Sequence, residues 1–391
     1  MIMQIRRKRI YRISIWLMMG LVFLISILLI TRASPNWISV DDYVEYWAAG
    51  RLNIARENPY DPAQLLPLQV AAGRTVGVPV MMWNPPWMLA LVMPFSLLNF
   101  QFSRSLWFLF NLFLIVWSSD SSWKLYGGRK NLRWISLIIV FTYPDVLRGV
   151  LAVGQTGSLI FIGVVGFLFF LNQRKEVLAG FFLSLLSIKP HILLIFGLAV
   201  LIWTVDNRKW KILLGCAASL FLSSIVAWII NPSVFNQYVY AINNYPPVNW
   251  EVSTLGGFLR RKIDFTRAWL QFIPSLLGIS WLIYYWLRNR NDWDWIDKTP
   301  LLLLVSFVTM AYGWPGDQIA SLIAIIQIAV LLLIKPKGFH DILIIGSYIF
   351  ILINLWMFKG NIFLLWWLGP VLLIYYLASR KLINYVSPDL I

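Results

Sequence analysis

Long apolar runs follow one another almost from end to end of this chain, separated only by short polar loops. The first, Ile13–Ile30, already has the length of a transmembrane helix. Such runs leave few folds open, because in lipid every backbone polar group must be satisfied within the segment. Hydrophobic residues make up 59% of the 391 positions and charged residues 13%, against roughly 45–50% and about 25% in soluble domains. The sequence therefore predicts an all-α polytopic membrane protein forming a single embedded unit over 1–391. No internal repeat or separate soluble domain is apparent.

Basic residues set the orientation. Arg6, Arg7, Lys8, Arg9 and Arg12 keep the N-terminus in the cytoplasm, so 13–30 crosses outward and a long polar stretch, Thr31–Pro85, follows outside. The next apolar run, Pro86–Phe100, would extend only about 22 Å as a helix, short of the ~30 Å hydrocarbon core. Treating it as a span would place Lys124, Arg129, Lys130 and Arg133 outside. We therefore read it as a juxtamembrane helix closing a first outer loop over 31–103. The remaining spans fall at 104–120, 134–150, 156–171, 177–189, 190–204, 210–230, 268–287, 299–313, 318–334, 341–357 and 361–378, about 12 in all with the first. A second large outer loop covers 231–267, and both termini are cytoplasmic. Of the 33 Lys and Arg, 21 then lie inside and 12 outside, whereas the acids divide eight to nine. Bias carried by basic residues alone is what the positive-inside rule requires. It also accounts for the net charge of +16 without nucleic acid, for which no aromatic-basic face exists. One cysteine and two histidines argue against a thiolate- or histidine-built metal centre, and no cofactor is expected. The absence of a GxxxxGK[ST] loop argues against ATP-driven transport within this chain, and no GxSxG motif occurs.

Polar chemistry gathers on the outer side. The first loop holds Asp41-Asp42-Tyr43-Val44-Glu45-Tyr46-Trp47, then Asn58-Pro59-Tyr60-Asp61-Pro62, and ends in Trp83-Asn84-Pro85-Pro86-Trp87. Two carboxylates just beyond a membrane helix, with Trp37 and Trp47 nearby, suit a sugar site: a carboxylate accepts a hydroxyl proton and indole faces stack on a pyranose. A solvated, Trp-anchored loop reads equally from composition. Gly154-Gln155-Thr156-Gly157, preceded by Tyr143-Pro144-Asp145 and Arg148, marks another outer boundary, where glycines also serve a tight turn. Lys189-Pro190-His191 interrupts continuous apolar sequence; charges at that depth are functional or snorkel to the interface. Arg260, Arg261, Lys262 and Arg267 oppose the inward bias, so a lipid-linked phosphate or anionic headgroups would account for them. Tyr312-Gly313-Trp314-Pro315-Gly316-Asp317-Gln318 brings Trp314, Asp317 and Gln318 to the same face.

In this order the motifs resemble the polyprenol-phosphate-sugar-dependent glycosyltransferases of the GT-C superfamily, and within it the mannosyltransferase-like glycosyltransferase family 87. The resemblance rests on Asp42 to Gly50, Asn58 to Pro62, Asn84 to Trp87, Gly154-Gln155, and Ala179-Gly180 running to Lys189-Pro190, roughly the first half of the chain. It implies a GT-C-like fold with a juxtamembrane helix, and a hexose, mannose in particular, moved with inversion from a polyprenyl-phosphate donor to a glycan or glycolipid acceptor. By position Asp42 corresponds to the family's acidic residue in the first outer loop, the general base, with Asp41 as the alternative. Glu45, Tyr46, Trp47, Tyr60, Asp61, Gln155, Lys189, His191, Arg260, Arg261, Lys262, Trp314, Asp317 and Gln318 are then candidate substrate-binding residues. The late family segment with paired histidines corresponds here to Gly313–Gln318, without histidine. Expected partners are the lipid-linked donor, the acceptor and membrane lipids, in a multi-pass cell-membrane protein active on its non-cytoplasmic face. Alternative readings are a lipid-linked oligosaccharide ligase or polymerase, which would use a pyrophosphate donor, and a polysaccharide or lipid transporter. Acids are nearly absent from mid-span, which disfavours the transporter. A non-catalytic scaffold would tolerate loss of Asp42.

Overall fold

The structure, a computed structural model, describes residues 40–334 and 338–386 together with Ser26 and Arg32. The expected first span (apart from Ser26), Trp37, the side chain of Asp41 and both chain ends lie outside the described residues. Among the described residues every regular element is helical.

Six helices are long and apolar enough to cross a membrane: Phe100–Leu125, Trp210–Ile230, Ala268–Asp292, Pro315–Ile334, Phe339–Met357 and Ile362–Asn384. A seventh results if Lys130–Thr142 and Val146–Ala152, bent 79° at their junction, form one broken span. Other apolar runs of the sequence emerge as shorter helices, Gly157–Asn172, Glu176–Ile188 and Leu194–Asp206. Prolines set these breaks. Pro144 and Pro190 carry no amide hydrogen, and a proline pushes the residue before it out of the α region. Tyr143 accordingly sits at ψ 116°, and Lys189 at φ −138°, ψ 72°.

The helices of the N-terminal half lead into the site. Helix α1 (Asp41–Ile54) begins the described part of the polar stretch before Pro86, and α2 (Pro62–Ala71) follows it. Asp61 starts α2 as its N-cap, its side chain accepting from the Ala63 amide at 2.9 Å. A 3-10 turn at Pro86–Met88 leads into α3 (Leu89–Ser96). That unit of eleven residues, Pro86–Ser96, is about 16 Å long and too short to span, as expected of the juxtamembrane helix. Helix α4 (Phe100–Leu125) opens on Asn99, whose side chain caps the Phe102 amide at 3.0 Å. At its other end Gly127 adopts the left-handed conformation, φ +76°. A π-helical turn, Val146–Ala152, follows α5 (Trp134–Thr142).

Two packed clusters form the core. Tyr43, Tyr46, Leu89, Val92 and Trp107 seat α1 against α3 and α4. The larger cluster runs from Ile115 and Phe161 through Leu302, Ile326 and Leu372, binding the C-terminal helices together. Buried aromatic rings stack at the first seam, Tyr43 on Trp107 with centroids 5.3 Å apart. Such pairs add roughly 0.5–1.5 kcal/mol beyond burial.

Candidate active site

Asp42, Glu45 and Tyr46 stand at i, i+3 and i+4 of α1 and so share one helical face. The face is docked by the turn that ends the π-helical segment. The Tyr43 amide donates to the Val153 carbonyl at 3.0 Å, and the Trp107 indole donates to the Gly154 carbonyl at 2.8 Å. Gly154 has φ +85°, and a Cβ there would meet Tyr43 Cβ at 2.7 Å. Only glycine reconciles that conformation with that proximity, and the next residue is thereby held over α1.

That residue is Gln155. Its Nε2 donates to Asp42 Oδ2 at 2.7 Å, and its Oε1 accepts from Lys189 Nζ at 2.9 Å. A carboxylate accepts only and an ammonium donates only, so the two neighbours fix which way the amide faces. Lys189 Nζ also donates to Asp317 Oδ1 at 2.7 Å. Asp317 Oδ2 in turn accepts the Trp314 amide at 3.1 Å. Asp317 is 1% exposed and Lys189 13%, so each charge depends on the other. A polar chain Asp42–Gln155–Lys189–Asp317 thus joins four separate stretches of sequence. Gly149 and Gly316 make the convergence possible, since a Cβ on Gly149 would lie 2.9 Å from Gly316 Cα.

The chain borders a cavity of about 730 Å³. Asp42, Glu45, Gln155, Lys189 and His191 form its polar wall, and Leu355, Phe358, Ile362 and Leu365 an apolar one. Trp83, Trp250 and Trp314 also line it and meet edge to face, with centroids 5.9 Å and 5.5 Å apart. The volume suits one or two sugar rings rather than a folded partner. Burial pushes the Glu45 carboxyl up to about 8, with the neighbouring Asp42 charge raising it further and the Tyr46 hydroxyl pulling the other way. Near neutral pH this carboxyl is mostly protonated, leaving Asp42 beside a neutral group.

Several residues singled out from the sequence meet here: Asp42, Glu45, Gln155, Lys189, His191 and Trp314 line the cavity, and Asp317 is tied in through Lys189. Tyr46 is buried beneath them, its hydroxyl 3.5 Å from Gln155 Oε1. Others lie elsewhere. Trp47 packs in the α1 core with its indole on the Leu98 carbonyl at 3.0 Å. Tyr60 donates to the Asn84 carbonyl at 3.2 Å, Asp61 caps α2, and Gln318 is buried outside the lining. The basic cluster is also outside it. Arg260 binds the Phe265 and Val248 carbonyls at 2.7 and 2.6 Å and Gln271 Oε1 at 3.2 Å. Arg261 binds the Phe363 carbonyl at 2.6 Å, and Lys262 is exposed.

The cavity also recruits residues that the sequence reading quoted in motifs without assigning them, among them Trp83, Asn84, Asp145 and Arg148. Asn84 Nδ2 donates to the Ile188 carbonyl at 3.1 Å, pinning the loop before Pro86 to the end of the helix before Lys189. Both motifs carry polar side chains beside proline at the edge of an apolar run, and that was the available signal. Trp250 and Tyr238, from the stretch 231–267, had none.

An all-helical membrane protein with a carboxylate-bearing, tryptophan-walled cavity has the make-up of a membrane enzyme acting on sugars. The family model for glycosyltransferase family 87 matches residues 82–311, more than half of the chain. The chain belongs to that family and is a membrane glycosyltransferase. The matched region includes Asn84, Gln155 and Lys189 and begins after α1. No curated protein and no solved structure matches the chain.

Proposed function

We propose that the enzyme transfers a hexose, mannose in the first instance, from a polyprenyl-phosphate donor to an acceptor hydroxyl, with Asp42 as general base. The observation that supports this most is the hydrogen-bonded run Asp42–Gln155–Lys189 along the cavity, backed by Asp317 behind it. Asp42 accepts the proton of the acceptor hydroxyl as its oxygen bonds to the anomeric carbon. The bond from that carbon to the phosphate oxygen breaks, and the prenyl phosphate leaves with the electron pair. A positioned base of this kind contributes about 10²–10⁴-fold. Gln155 keeps the carboxylate oriented, and Lys189 places positive charge beside the developing phosphate charge. Reaction at the opposite face of the sugar inverts its configuration.

The cell membrane is the setting, with the cavity on the non-cytoplasmic face, about twelve spans in all and both termini in the cytoplasm. The inward excess of Lys and Arg supports that orientation, and the apolar wall of Leu355, Phe358, Ile362 and Leu365 suits a lipid-borne donor. Proteoliposomes supplied with radiolabelled polyprenyl-phosphate mannose, a prenyl-pyrophosphate sugar or a nucleotide sugar test the donor chemistry. Label should move from the monophosphate alone. Transfer from the pyrophosphate would point to a ligase, and transfer from the nucleotide sugar would remove the lipid donor from the account.

A further inference from the structure

Lys189 shares its charge between Asp317 and the cavity, and the Arg260–Lys262 cluster lies outside the lining. A second cation of the lining, Arg148, is built differently. It sits in the π-helical turn Val146–Ala152, a distortion frequent at functional sites. Its guanidinium lies over the Trp356 ring, 4.5 Å from the centroid, and makes a long 3.4 Å donation to the Trp356 carbonyl. Trp356 is itself anchored, its indole donating to the Thr142 carbonyl at 2.8 Å. Among the described residues Arg148 forms no ion pair, although the Asp145 carboxylate, three residues earlier in the same lining, is close enough to feel its charge. A guanidinium carries five N–H donors, and one long bond to the Trp356 carbonyl leaves the others for a pair of phosphate oxygens.

The surroundings specify what accompanies the phosphate. Leu355 and Phe358 flank Trp356 in sequence, and Ile362 and Leu365 follow in the next turn; all four line the cavity. A cationic fork beside a continuous apolar strip fits an amphiphile with a phosphate head and a hydrocarbon tail.

We infer that Arg148, lying over Trp356, seats the phosphate of the lipid donor, with the first isoprene units lying along Leu355, Phe358, Ile362 and Leu365. The inference rests on the prenyl-phosphate reading and adds the place where that phosphate binds, on a different element from the base. Arg148 is a binding residue, and Trp356 positions it.

The test is binding of sugar-free undecaprenyl phosphate to the purified protein in phosphatidylcholine nanodiscs, with sugar transfer followed in parallel. Arg148→Gln should weaken binding at least tenfold and raise the donor KM by a similar factor while kcat changes far less. Arg148→Lys, which keeps the charge but not the fork, should fall between. Leu355→Asn should weaken undecaprenyl phosphate and leave competition by inorganic phosphate unchanged. Phosphatidylglycerol in excess should fail to displace the prenyl phosphate. Unchanged binding in Arg148→Gln, with wild-type transfer intact, would overturn the inference and leave the donor reading standing. Equal displacement by phosphatidylglycerol would make this a seat for bulk anionic lipid and overturn it as the donor site. A wild type that neither binds prenyl phosphate nor accepts it as donor would overturn both.

Discussion

Replacing Lys189 with methionine tests the polar chain by its energetics. The change keeps the apolar stem and removes the ammonium, leaving Asp317 as an unpaired carboxylate only 1% exposed. Breaking a buried pair on one side costs roughly 3–5 kcal/mol, because the remaining charge stays desolvated. At about 2 °C per kcal/mol, the unfolding midpoint in detergent should fall by roughly 6–10 °C. Gln155 Oε1 would lose its donor as well, loosening the hold on Asp42. The partner substitution separates charge from packing. Asp317→Asn keeps an oxygen for the Trp314 amide and removes the stranded charge, so Lys189→Met with Asp317→Asn should recover most of the loss. Thermal unfolding of wild type, both single variants and the double variant completes the cycle. A silent Lys189→Met, or a double variant no more stable than the single, would refute the claim that this pair is buried and mutually dependent.

Other outcomes follow from the same geometry. Glu45 has its carboxyl raised from 4.5 to about 8, so the folded state holds a proton that the unfolded chain releases between those values. Its contribution to stability is complete below about pH 4.5, declines as pH rises and is gone above about 8; Glu45→Gln should flatten the unfolding midpoint across that window. Gly154→Ala meets both a positive φ and Tyr43 Cβ at 2.7 Å, so it should cost more than the ~1–2 kcal/mol of the left-handed conformation alone and lower activity through Gln155, read as reduced midpoint and kcat. Arg260→Ala removes three hydrogen bonds from a buried guanidinium and should destabilise by on the order of 3 kcal/mol without a specific donor KM effect. Lys262→Ala should stay within about 0.5 kcal/mol in the same unfolding assay.

Much of the architecture was legible because lipid admits so few structures. Apolar runs at 104–120, 210–230, 268–287, 318–334, 341–357 and 361–378 coincide with the six long helices. The short helix at Pro86–Ser96 followed from length and loop charge alone. What hydropathy could not resolve was continuity within a run. One proline at Pro144 or Pro190 hardly alters an average over nineteen residues, yet it ends a helix. The site was legible as residue types at the edges of apolar runs rather than as contacts. Gln155 meets Asp42 across 113 positions and Lys189 meets Asp317 across 128, separations over which periodicity carries no information. Arg260 and Arg261 illustrate the opposite difficulty. Guanidinium groups set against the inward charge bias suggested a phosphate, whereas in the fold they tie loop carbonyls together. Sequence alone cannot tell a guanidinium that awaits an anion from one that closes a loop, because both uses employ the same N–H groups.

Sugar transfer by Asp42→Asn in proteoliposomes decides whether Asp42 takes the acceptor proton. With radiolabelled polyprenyl-phosphate mannose and a crude lipid acceptor, the variant should keep its donor affinity and unfolding midpoint while kcat falls by about 10²–10⁴-fold. Transfer at the wild-type rate by a folded Asp42→Asn protein would contradict the account and move the search for the base to Asp41.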